Sequence, residues 1–167
     1  PLLVAIDQEG GEINRLRPLP GLAATPSAAE MADWSAAEID SAVAPMASAM
    51  AGLGINTNLA PVVDPAVDSR GVPTLMGKRG RAFGSSAEDI VGPAGIFIDA
   101  FARRDIGCIV KHFPGYNVAE NSDDELAVSG AEAELIDHQI EAFGAIMDGA
   151  LGVMMSSIRF TKVSAAP

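Results

Sequence analysis

Lys111 and His112 stand at the end of a short apolar run, Cys108-Ile109-Val110, and just before the chain-breaking pair Pro114-Gly115. The run reads as a buried strand. An ammonium and an imidazole at such a strand's mouth can grip a polar ligand, the one with three donors, the other as donor or acceptor. A polar loop carrying Glu120, Asp123, Asp124 and Glu125 follows. A second group, Asp7-Gln8-Glu9-Gly10-Gly11, comes directly after the apolar segment Pro1 to Ile6, which reads as a fully buried strand. Two acids and two glycines there make a tight turn with carboxylates at its mouth. Arg15 and Arg17 lie in INRLRPLPG, either as a surface pair beside a Pro-rich turn or as a cation for a polar ligand. The stretch from Asp64 to Gly84 holds Arg70, Lys78, Arg79 and Arg81. It reads either as a solvated loop or as a cationic contact for an anionic or hydroxyl-rich ligand.

The elements between these groups must bring them together. Ser35-Ala-Ala-Glu38, Ser85-Ser-Ala-Glu88 and Ser129-Gly-Ala-Glu132 each carry the S-x-x-E capping pattern. Each precedes an apolar-periodic stretch: Ile39 to Leu53, Ile90 to Ile106, and Leu135 to Leu151. Glycines follow as stops: Gly52 and Gly54, Gly107, Gly149 and Gly152. Pro93 falls early in its helix, whereas Pro45 is expected to kink its helix or delay its start. Ile136, Ile140, Phe143 and Met147 form a core stripe, with Gly144 on the same face allowing a close neighbour. Apolar strands follow the helices at Ile55 to Val63, Cys108 to His112, and Val153 to Ser157. The order β-α-β-α-β-α-β implies a parallel sheet with right-handed helical crossovers. Ligands of such sheets sit at the carboxyl ends of the strands.

Composition narrows the partners. The chain has 167 residues, 49% hydrophobic, enough for one domain with a sizeable core. Its formal net charge of -11 argues against a nucleic-acid partner and against anionic lipid. The single Cys108 cannot form an internal disulfide or a Cys cluster for zinc, and in its apolar run it reads as an inert buried thiol. No apolar run approaches the ~18 residues of a membrane span. No signal peptide is visible, but the chain starts at Pro1 on an apolar segment, so the compartment stays open between cytoplasm and exported cell envelope.

Taken together, VAIDQEGGEINRL (Val4 to Leu16), GINTNLAPVVD (Gly54 to Asp64), GRAFG (Gly80 to Gly84) and IVKHFPG (Ile109 to Gly115) resemble the catalytic domain of family 3 glycoside hydrolases. The branch they resemble is that of the bacterial β-N-acetylglucosaminidases that trim peptidoglycan fragments. Any one motif is weak; in one register along essentially the whole chain they are strong. The resemblance implies an α/β fold, a partial TIM (β/α)8 barrel of about four parallel strands and three main crossover helices, forming a single incomplete N-terminal domain over 1–167. It implies that Asp7, Arg15, Arg81, Lys111 and His112 line a sugar subsite. Asp7, Lys111 and His112 would hold hydroxyls by charge-assisted hydrogen bonds. Arg15 and Arg81 would fix the loops and the ring. It implies retaining catalysis, with a carboxylate nucleophile and a second group moving the proton.

Two departures shape the expectation. The family's acid/base loop carries an Asp-x-His pair whose His shuttles the proton; here those positions hold Ser122 and Asp124. The chain has two histidines: His112 belongs to the binding pair, and His138 lies in a later helix. Asp124, or Asp123, is the candidate replacement acid, and an exposed Asp titrating near ~4 would need burial to hold a proton at neutral pH. Secondly, the family's nucleophile lies beyond the segment resembling VMMSSIRF, and Ser157 replaces a His often found at that strand end. The expectation is a β-N-acetylglucosaminide hydrolase of cell-wall sugar recycling, represented by its sugar-binding half, with no turnover by the isolated chain. The alternative is a non-catalytic carbohydrate-binding relative that lost its shuttle. No cofactor is expected, since HExxH and P-loop motifs are absent, and the oligomeric state is open.

Overall fold

The computed structural model describes residues 2–163, with the side chains at 133–135, 137 and 138 outside that description. The expected strand start at Pro1, the tail at 164–167 and the His138 ring therefore fall outside the described residues. Strands β1 (Ala5–Ile6), β2 (Thr57–Asn58) and β3 (Gly107–Phe113) come first; β4 (Val128–Ser129), β5 (Gly152–Met155) and β6 (Arg159–Phe160) follow. A four-stranded sheet runs in the order β1-β2-β3-β5. Every pairing in it is parallel, with Ala5 beside Thr57, Thr57 beside Gly107, and Ile109 beside Gly152. A second, two-stranded parallel sheet joins β4 to β6 over the loops.

Helices α1 (Ala28–Met31), α2 (Ala36–Gly52), α3 (Leu75–Lys78), α4 (Ala87–Ala102) and α5 (Ala133–Ile146) complete the fold. Of these, α2, α4 and α5 are the three crossovers between successive parallel strands, as the alternating order requires. The apolar stripe of α2, Ile39, Val43, Met46, Ala47 and Met50, recurs at helical spacing and is entirely buried. It packs with Ile90, Ala94, Phe97, Ile98 and Phe101 of α4 in one core, which Cys108, Val110, Phe143 and Ile146 extend. Phe97 and Phe101 stack with centroids 4.9 Å apart, and Phe113 meets Phe143 edge-on at 5.3 Å. Each such side chain contributes about 1.5–3 kcal/mol by leaving water. Burial also pushes the Cys108 thiol up to about 12, so it is inert.

Several local expectations need correction. The first strand is not fully buried: Leu2 and Leu3 are 79% and 64% exposed, because β1 is an edge strand. The cap at Ser35 with Glu38 holds, but the second box is one residue later, with Ser86 capping and Asp89 returning the bond. A serine pair offers two candidate caps, and an Asp reaches back as well as a Glu. The third box does not form: Ser129 is in β4, and α5 starts after Glu132 without a side-chain cap. A further box, Ser27 with Glu30, starts the short α1. Gly107 does not stop α4; the helix ends at Ala102, Asp105 takes the left-handed conformation (φ 57°), and Gly107 opens β3 against Leu151. Pro45 does not delay α2; it sits inside the helix on the exposed face. Met147 is 49% exposed, in a 3-10 turn, and Gly144 faces open space rather than a packed neighbour; among the described residues there, Ile136, Ala142, Phe143 and Ile146 are buried.

Candidate functional site

The turn after β1 is built around Gln8. Its amide oxygen accepts from the backbone N–H groups of Arg15 and Leu16 at 2.8 and 3.1 Å, and its backbone is bonded both ways to Asn58 at the end of β2. Gln8 is fully buried and directed inward, so alternation places Asp7 and Glu9 together on the other side. Gly10 follows at φ 97°, and a Cβ there would lie 2.1 Å from the Pro26 carbonyl oxygen. Only glycine permits this turn.

Lys111 comes from β3 and is 2% exposed. Its Nζ donates to Asp7 Oδ1 at 2.5 Å and lies 2.6 Å from Glu9 Oε1. Arg81, on the loop after α3, donates to both Glu9 oxygens at 2.8 and 2.7 Å as a bidentate fork. Two carboxylates thus face two cations in a chain Asp7–Lys111–Glu9–Arg81. Burial alone would push Glu9 up, but Arg81's hydrogen bonds and the Lys111 charge outweigh it and hold the carboxyl below its ordinary range. Arg81 also loses by burial, yet Glu9 holds it above its ordinary value. Asp7 keeps its side chain 32% exposed, so it is the carboxylate that a ligand can reach.

His112 pairs instead with Asp64, in the loop after β2. Strand register shifts between Lys111 and Phe113, an irregularity of the kind that re-aims side chains. Its Nδ1 lies 2.6 Å from Asp64 Oδ2. Asp64 Oδ1 accepts from the backbone N–H groups of His112 and Tyr116 at 3.0 and 2.7 Å. Asp64 has no exposed surface at all. Tyr116 stands edge-on to the imidazole at 5.7 Å, and its hydroxyl donates to the Glu120 carbonyl while accepting from the Ser122 N–H.

The structure therefore gathers Asp7, Arg81 and Lys111 directly, with His112 adjacent in the chain. Arg15 is exposed, and among the described residues its guanidinium makes no hydrogen bond or ion pair; only its backbone is tied in, through Gln8. Asp124 is exposed too, bonded to the Asn121 amide at 2.7 Å in a turn at the loop tip. Ser122 and Ser157 share a 2.7 Å hydrogen bond. Of the remaining loop cations, Arg70 pairs locally with Asp68 and Arg79 with Glu12 of the first turn. Glu9 and Asp64 were not singled out from the sequence as site residues. The signal for Glu9 is its i, i+2 spacing from Asp7; that for Asp64 is a carboxylate directly after a buried run and before Pro65.

Among the described residues, no group of three or more His, Cys, Asp or Glu side chains is spaced to hold a metal ion. A cleft of about 400 Å³, bordered by Thr74, Asn117, Ser129 and Gln139, contains none of the clustered residues.

The chain spans about half the length of the curated β-hexosaminidase of Methylococcus capsulatus, to which it is 32% identical over 99% of its residues. It is 34% identical to a Mycobacterium tuberculosis β-hexosaminidase over 70% of its residues and 29% of that protein. Among solved structures it superposes on a β-N-acetylhexosaminidase from Beutenbergia cavernae with a TM-score of 0.85 and 32% identity, covering 99% of this chain and 50% of that one. A family 3 β-N-acetylglucosaminidase from Paenibacillus gives a TM-score of 0.80 at 30% identity, over 99% of this chain and 31% of that one. These neighbours are barrel domains, and the sheet seen here is their partial, unclosed counterpart. The model of the glycosyl hydrolase family 3 N-terminal domain matches residues 1–167, and the chain belongs to that family.

Proposed function

We propose that this chain is the sugar-binding half of a retaining β-N-acetylhexosaminide hydrolase, acting on N-acetylglucosaminides of cell-wall origin. The observation that carries the reading is the Asp7–Lys111–Glu9–Arg81 chain at the carboxyl ends of β1 and β3. Its charges cancel, which suits a neutral polyol better than an anion. Asp7 and Lys111 would hold sugar hydroxyls, His112 would supply a further polar contact, and Arg81 would brace the loop. Arg15, exposed beside the turn, would reach the ring only on binding. Turnover additionally needs a nucleophilic carboxylate and a proton shuttle. Relatives about twice as long would carry the nucleophile in the half that this chain does not span. Asp124 is the candidate acid within the chain.

A second reading, a carbohydrate-binding relative without turnover, is favoured by one specific observation. Asp124 lies exposed at a loop tip and is engaged with Asn121, where nothing shields it from solvent. Calorimetric titration of the chain with N-acetylglucosamine tests the shared part of both readings. Binding is expected, and Asp7→Asn should weaken it about tenfold or more, the worth of one charge-assisted hydrogen bond. Asp124→Asn should leave affinity unchanged. The 167-residue chain should release no chromophore from a chromogenic N-acetylglucosaminide. No binding at millimolar sugar would overturn the site.

A further inference from the structure

The hydrogen bonding around Asp64 constrains what His112 can offer. Asp64 is fully buried, and an ionised carboxylate only accepts. Oδ1 is already satisfied by the backbone N–H groups of His112 and Tyr116. Oδ2 faces Nδ1 of the imidazole at 2.6 Å. Were Nδ1 unprotonated, two lone pairs would meet at that distance against a fully buried carboxylate, at a cost that buried polar groups do not sustain. Facing the ionised carboxylate, the imidazole carries its proton on Nδ1. The Tyr116 ring, edge-on at 5.7 Å and itself 3% exposed, limits rotation of the imidazole away from this contact.

We infer that Asp64 is a positioning residue that commits His112 to the Nδ1–H tautomer, so that Nε2 presents a hydrogen-bond acceptor to a ligand hydroxyl. The ring, 17% exposed, keeps an edge open to solvent for that contact. His112 then complements Lys111, which can only donate. A sugar hydroxyl meeting His112 must donate, whereas one meeting Lys111 must accept. The role assigned to the ligand rests on the sugar-site reading above; the tautomer does not.

Long-range proton–nitrogen correlation spectra of the ¹⁵N-labelled chain test it, recorded above histidine's ordinary titration range. His138→Gln assigns the signals, since the chain has 2 histidines. A pyrrole-type Nδ1 and a pyridine-type Nε2 on His112 are expected. A protonated Nε2, whether as the other tautomer or as an imidazolium, would overturn the proposal. In Asp64→Asn the amide can also donate, so the spectrum should shift toward the Nε2–H form and affinity for N-acetylglucosamine should fall about tenfold. If Asp64→Asn does not fold, the wild-type spectrum alone still decides. A pure structural support would leave the tautomer unchanged in a folded Asp64→Asn chain, and that result also overturns the inference. An Nδ1–H ring in a chain that binds no sugar would uphold Asp64's role and sink the sugar reading instead.

Discussion

Glu9 touches both buried cations of the cluster, and its neighbours make it a stability element as well as a site residue. Its folded-state carboxyl sits below the ordinary value of 4.5, so the stabilisation it supplies is complete above that pH and is lost as acid protonates it. Glu9→Gln should therefore cost about 3 kcal/mol at neutral pH, because two cations lose a buried partner. Urea denaturation should show the gap to wild type narrowing as pH falls below 4.5. A constant gap across that range would deny the coupling. The convergence of Asp7, Lys111 and Arg81 was legible because each stands where an apolar run ends or within a motif. Glu9 and Asp64 were harder to read, since their importance comes from partners 72 and 48 positions away in the chain. Arg15 shows the converse, a residue brought in by family likeness whose backbone, not its guanidinium, is tied to the turn.

At the scale of elements, periodicity located the three crossover helices and the order of the parallel strands, because burial of one face dictates both. Helix starts were less legible, since S-x-x-E patterns are abundant and only backbone geometry selects among them. This can be checked directly. Ser35→Ala and Ser86→Ala should each cost about 1 kcal/mol, while Ser85→Ala should cost a few tenths at most. Thermal melts of the three variants separate the two registers: a larger loss at Ser85 than at Ser86 would restore the earlier one. The small β4–β6 sheet was not legible at all. Its strands are two residues each, and neither carries an alternating pattern long enough to detect.

For the whole molecule, the open sheet leaves apolar side chains at both flanks: Leu2 and Leu3 beside β1, Leu151 just before β5 and Met155 on it. Unpaired strand edges attract further strands. The net charge of -11 opposes that association by mutual repulsion. Sedimentation of the chain should accordingly show oligomers that grow as salt rises, because screening weakens the repulsion and leaves apolar contact intact. Growth at low salt instead would mean that ionic contacts hold the copies together. The fold class was readable at this scale from alternation and motif order, and the partial, unclosed barrel of about four strands from the family resemblance. One further consequence follows from Asp64's grip on both the imidazole and the Tyr116 amide. Ser122 reaches that knot only through the Tyr116 hydroxyl, and the Asp124 carboxylate bonds to Asn121 within its own turn. Substitution at the tip of the loop is expected to leave the His112–Asp64 contact in place.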